Sequence, residues 1–146
     1  MFTSISSLLS FANEKKSRVK GEETRMKNDQ YGKVFLILGD QLSQEHPFLK
    51  LATSEKGAVV LMIESQPRAE WLPYHPQKLL YVFACMRRFA HEVKLKFPDV
   101  ALKYIEFSEN SIASEINKLK CSELHLVEPS EPKAREWLDE EGLNCQ

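Results

Sequence analysis

Two short, unbroken apolar runs stand out along the chain, residues 34–38 (Val-Phe-Leu-Ile-Leu) and residues 58–63 (Ala-Val-Val-Leu-Met-Ile). Runs this short, bulky and partly β-branched are unsuited to a free-standing helix. They fit strands buried on both faces, as at the centre of a parallel sheet. The first run ends at Gly39, a residue able to take backbone angles closed to others and so to turn the chain sharply, and Asp40, Gln41 and Ser43 follow it. The second run ends on Glu64. Residues 44–52 read as a loop with a short helical turn, and residues 65–76, with Pro67, Pro73 and Pro76, as an irregular connection. From Gln77 the spacing becomes helical, with Leu79, Leu80, Val82, Phe83, Met86, Phe89, Ala90, Val93 and Phe97 recurring at three and four. Pro76 suits a first helical position and Pro98 halts the helix.

Beyond Pro98 the alternation continues. A third strand is predicted over residues 100–105 and a helix opens at Ser111 with Ile112, Ile116 and Leu119 on one face. A fourth strand follows over residues 124–127, and then a helix from Pro132 to Glu140 closed by Gly142. Residues 143–146 read as the start of a fifth strand. Strands alternating with helices predict an α/β fold: a doubly wound, Rossmann-like parallel sheet of about five strands, truncated at the last. Residues 1–30 differ, because Ser and Lys are frequent and residues 13–28 are nearly all polar, so they are predicted to be a flexible arm preceding a domain over 31–146. The apolar stretch at its start is too short and Ser-broken for a secretory signal. An organellar transit role and a start at Met26 stay open.

The 146 residues allow one domain with a real core, and 42% apolar with 28% charged residues is ordinary globular usage. A net charge of -1 argues against a general nucleic-acid-binding surface, so no direct nucleic-acid contact is expected. No apolar run reaches the roughly 20 residues of a membrane span. Cys85, Cys121 and Cys145 are odd in number and widely spaced, which fits buried thiols in a reducing, cytoplasmic setting rather than a disulfide or zinc framework. His46, His75, His91 and His125 lack metal-ligand spacing, so no metal site is expected. The sequence has no G-x-G-x-x-G, no P-loop, no G-x-S-x-G and no H-E-x-x-H. The basic cluster over residues 87–96 is read as a solvated helix face.

What remains is positional. Asp40 and Gln41 follow the first strand, Glu64 the second, and Glu128 with Pro129 the fourth, all at carboxyl ends on one side of a parallel sheet, where ligands bind in open α/β folds. Three carboxylates repel a phosphate and suit a heterocycle with N–H and C=O edges. The same groups equally suit helix caps and loop supports.

Residues 36–43 (Leu-Ile-Leu-Gly-Asp-Gln-Leu-Ser) resemble the opening of the deoxyribodipyrimidine photolyase-related proteins, the bacterial cryptochromes and (6-4) photolyases that carry an iron–sulfur cluster. Residues 60–64, His75-Pro76-Gln77-Lys78 with residues 84–90, and Val127-Glu128-Pro129 agree in order and spacing. The chain departs from the family after Glu128-Pro129, with Ser130-Glu131-Pro132-Lys133 in place of Gly-Glu-Trp-Arg. The resemblance implies an N-terminal antenna domain of photolyase type. Gly39, Asp40, Gln41 and Leu42 would line a pocket for a 6,7-dimethyl-8-ribityllumazine-type chromophore, with Glu64, His75, Lys78 and Glu128 beside it. Catalytic residues, FAD and the iron–sulfur cluster belong in that family to a helical domain. On this resemblance the chain is a fragment, inactive alone in light-driven DNA repair, with a separately encoded helical FAD domain as partner. A free-standing binding module for a flavin-like or nucleotide-like molecule and a non-functional remnant are the alternatives.

Overall fold

The computed structural model describes residues 31–71 and 74–143; the arm predicted over residues 1–30 lies outside the described residues. In chain order the elements are β1 (Lys33–Leu36), α1 (Pro47–Ser54), β2 (Ala58–Ser65), α2 (Gln66–Trp71), α3 (Pro76–Lys96), β3 (Leu102–Ser108), α4 (Ile112–Lys118), β4 (Glu123–Leu126) and α5 (Pro132–Glu140). The four strands form one parallel sheet in the order β3-β2-β1-β4. The chain thus steps from β1 outward to β3, then crosses back to place β4 on the far side of β1. That reversal puts a topological switch point between β1 and β4.

Strand alternation divides the core into two layers. Phe35, Ile37, Val60 and Met62 face α1 and α3, where they meet Phe48, Leu49, Met86, Phe89 and Val93. Val34, Leu36, Leu38, Leu61 and Ile63 face α4 and α5, where they meet Ile112, Ile116, Trp137 and Leu138. Helices on both faces of a parallel sheet make the fold doubly wound and Rossmann-like, and explain why β1 and β2 are apolar on both sides.

Local chemistry sets the boundaries. The long helix α3 begins at Pro76, as its periodicity predicts, and its cap is a histidine: His75 Nδ1 accepts from the Gln77 amide at 3.3 Å. His46 caps α1 in the same way, accepting from the Phe48 amide at 3.2 Å. The last helix ends in a Schellman turn, with Gly142 at φ 73°, its amide donating to Asp139 O and that of Leu143 to Leu138 O. Two expectations shift. Residues 66–71, expected to be irregular, form α2, with Pro67 in its first turn where the missing N–H costs nothing. The third strand begins at Leu102 rather than Val100. The fifth strand expected at residues 143–146 falls on residues 144–146 outside the described part, and four strands form the described sheet.

Gly39 serves a purpose other than a special dihedral. Its φ is not in the left-handed region; a Cβ there would lie 2.9 Å from Val82 Cγ1 and 3.1 Å from Met86 Sδ. The missing side chain lets the segment after β1 pack directly on α3.

Candidate functional site

The carboxyl ends of the strands carry two distinct polar assemblies. On the α3 face sits Glu64, fully buried at the end of β2. Arg87 grips it with both edges, Nε to Oε1 at 2.6 Å and Nη2 to Oε2 at 2.7 Å. Tyr104 OH donates to Oε1 at 2.6 Å and the Phe107 amide to Oε2 at 3.2 Å. The Phe107 bond comes from a residue at φ 45°, where the β2–β3 register slips between Ile63 and Ser65. Glu64 therefore holds a strained bulge in place and anchors α3 to the sheet. Its hydrogen bond holds the Arg87 guanidinium well above its ordinary pKa. Burial, and then the bond to Glu64, push the Tyr104 phenol far up. Arg87, expected on a solvated face, instead turns its guanidinium onto this buried carboxylate; Arg88 keeps to the surface, paired with Glu92 at 3.0 Å.

The second assembly lies at the switch point between β1 and β4. Gln41 bridges β1 and β4: its Nε2 donates to Val127 O at 2.9 Å, and its Oε1 accepts from the Leu38 amide at 3.3 Å. The side-chain amide satisfies the backbone where the two strands part. Asp40, exposed, projects beyond it and lies close enough to Arg68 and Tyr74 to be felt electrostatically by both. Tyr74 OH donates to Glu131 Oε2 at 2.8 Å, while Lys78 Nζ stands 3.6 Å from the Tyr74 ring centroid. Burial, then the Glu131 bond, raise the Tyr74 pKa. Arg68 lies 4.6 Å from the Trp137 ring and 5.6 Å from that of Trp71, and burial lowers its pKa. Its Nη1 is shielded from solvent with no hydrogen-bond partner. Segments after β1, β2 and β4 thus converge with the start of α3 on a set of guanidinium, ammonium, phenol and carboxylate groups.

The structure brings Asp40, Gln41 and Lys78 of the predicted residues to this niche. Glu128 lies at its edge, exposed and paired with Arg135. His75 is exposed and occupied as a helix cap. Gly39 and Leu42 face α3, lining with Tyr81, Val82, Cys85 and Phe89 an open groove of about 390 Å³. Glu64 stands apart on the α3 face with its oxygens engaged. Sequence reasoning missed Arg68, Tyr74 and Glu131. Tyr74 and Trp71 were visible as aromatics between prolines, but nothing in their spacing signalled convergence. Among the described residues no group of three or more His, Cys, Asp or Glu could hold a metal ion, and no helix is long and apolar enough to cross a membrane.

The fold and the niche define an α/β domain of the doubly wound class with a candidate ligand site at its switch point. The model of the deoxyribodipyrimidine photo-lyase-related protein family matches residues 35–146, and the chain belongs to that family. It is similar to a (6-4) photolyase of Agrobacterium fabrum strain C58, 28% identical over 112 residues; the match covers 73% of this chain and 22% of that relative's length.

Proposed function

We propose that this α/β domain binds an antenna ring of the 6,7-dimethyl-8-ribityllumazine type for a photolyase-related protein of the light-driven DNA-repair kind. The observation that carries the reading is the mixed donor and acceptor set gathered at the switch point by Asp40, Arg68, Tyr74, Lys78 and Glu131. Such a set, with cations and carboxylates in balance, fits a planar ring with N–H and C=O edges. Family membership and the similarity to the (6-4) photolyase of Agrobacterium fabrum support the direction. In this reading Asp40 and Gln41 form the wall after β1, with Gly39 and Leu42 seating that segment on α3, and His75 and Lys78 form the rim at the start of α3. Glu128 closes the side beyond β4. Glu64 acts indirectly, by fixing Arg87 and Tyr104. When bound, the ring supplies light absorption; the chain's residues orient it and limit its contact with water. FAD, the iron–sulfur cluster and the DNA cleft belong to a helical domain that acts with this one, and the 146-residue chain alone is inactive in repair.

The test is a fluorescence titration of the 146-residue protein with 6,7-dimethyl-8-ribityllumazine, alongside illumination with lesion-bearing DNA. Saturable one-site binding is expected, weakened about tenfold or more in Asp40→Arg and Lys78→Glu, together with no repair. Absence of saturable binding overturns the antenna reading, and repair by this chain alone overturns its dependence on a second domain.

A further inference from the structure

Among the described residues, Arg68 Nη1 is the buried side-chain nitrogen that lacks any hydrogen-bond partner. A guanidinium carries five N–H donors and stays charged, so a shielded donor without an acceptor is unfavourable and rare in a folded chain. The group is also held in place. It lies against the rings of Trp137 and Trp71, which fix its plane. Its backbone amide donates to Ser65 Oγ at 3.3 Å, and Ser65 Oγ in turn reaches Asn110 O at 3.4 Å. An ordered planar cation with an unpartnered nitrogen is preorganised for an acceptor from outside the chain.

The surroundings select the acceptor. Asp40 and Glu131 both act on Arg68 electrostatically and Lys78 Nζ stands against Tyr74, so the two cations and two carboxylates balance and an incoming phosphate or carboxylate meets no net positive charge. A neutral carbonyl oxygen needs no countercharge and takes a charge-assisted hydrogen bond from the guanidinium. We propose that Arg68 is a specificity-determining residue of the niche, donating from Nη1 to a carbonyl oxygen of an uncharged, planar dione heterocycle. This deepens the proposed function and rests on its placement of the ligand at the switch point. A ring lacking that carbonyl leaves the donor buried and unpaired, which is how the site rejects it.

The test uses the ¹⁵N-labelled 146-residue protein, with the Arg68 guanidinium resonance assigned by its loss in Arg68→Lys. The probes are 6,7-dimethyl-8-ribityllumazine, riboflavin and inorganic phosphate, each titrated into wild type, Arg68→Lys and Arg68→Met. At least one of the two diones is expected to bind and to move the Arg68 resonance. Arg68→Met should weaken that dione about tenfold to a hundredfold, with Arg68→Lys intermediate and phosphate without effect. Riboflavin binding through Arg68 without lumazine binding upholds the inference and removes the antenna identity. Lumazine binding that leaves the Arg68 resonance and the Arg68→Lys affinity unchanged overturns the inference and leaves the antenna reading standing. Displacement of the Arg68 resonance by phosphate, or failure of both diones to bind, overturns the inference as well. Should Arg68→Met not fold, Arg68→Lys and the wild-type resonance decide.

Discussion

Replacing Glu64 by alanine tests whether its carboxylate is a structural anchor or a free ligand group. The side chain is fully buried and accepts four bonds, two from Arg87 and one each from Tyr104 OH and the Phe107 amide. Removing one partner of a buried, hydrogen-bonded ion pair costs about 3–5 kcal/mol. The Arg87 side chain is 49% exposed, so water recovers much of its guanidinium. The lower end, about 3 kcal/mol, therefore applies. Tyr104 OH and the strained Phe107 amide lose their acceptor with less access to water, which keeps the cost from falling further. Two-state urea unfolding should show that loss, and the melting temperature should drop by roughly 10 °C, at a few degrees per kcal/mol for a domain of this size. Glu64→Gln keeps the volume but turns an amide donor toward other donors, and should cost about 1–3 kcal/mol. Tyr104→Phe, which deletes a single hydroxyl, should cost about 1 kcal/mol. If Glu64→Ala unfolds within about 0.5 kcal/mol of wild type, the carboxylate is not the anchor described, and a direct role toward a ligand becomes the better account.

Three further perturbations probe the positioning of the niche. Gly39→Ala places a methyl 2.9 Å from Val82 Cγ1, and should cost about 1–3 kcal/mol, recovered in part by Val82→Ala in the same chain; an unchanged urea midpoint would refute the close approach. Gln41→Leu leaves Val127 O and the Leu38 amide without their side-chain partner. It should cost about 1–3 kcal/mol and speed hydrogen exchange at Leu38, which equal exchange rates would contradict. His46 is buried, and burial lowers its pKa from the ordinary 6.5 while its Nδ1 caps α1. Because the folded pKa is depressed, the unfolded chain takes up the proton first. Stability is thus complete above about pH 6.5 and declines as pH falls below it through the lowered folded pKa. His46→Asn, which caps without titrating, should flatten that decline in urea midpoints measured from pH 7.5 to 5, and an identical slope would exclude His46 as its cause.

Much of this fold is legible in the sequence because periodicity reports burial. Residues 34–38 and 58–63 are apolar throughout because helices cover both faces of their strands, and the three-four spacing after Pro76 follows a stripe of α3 that is buried from Met86 to Val93, whereas Leu80 near its start is 69% exposed. The turn at α2 was not legible, since six residues around Pro67 are too few to show a period. Both histidine caps escaped notice because histidine is outside the usual N-cap set, although an imidazole nitrogen accepts a backbone N–H as a carboxylate does. At the site, chain position past a parallel strand was enough to pick out Asp40 and Gln41. It was not enough to separate Glu64 from them. Alternation along β2 turns Glu64 toward α3, and its partners Arg87 and Tyr104 lie 23 and 40 residues away, a pairing that no local pattern encodes. Arg68 and Glu131 come together for the same non-local reason, through the crossing that sets β4 beside β1.

The central claim is that the switch point between β1 and β4 receives a planar chromophore. Amide chemical-shift mapping during titration of the ¹⁵N-labelled protein with 6,7-dimethyl-8-ribityllumazine tests it most directly, since Gly32, Gly57 and Ser122 at the opposite end of the sheet serve as an internal reference. Saturable shifts concentrated at Asp40, Gln41, Tyr74, Lys78 and Val127, with the reference amides still, are the predicted result. Shifts confined to the far end of the sheet, or none at any ligand concentration, would contradict it.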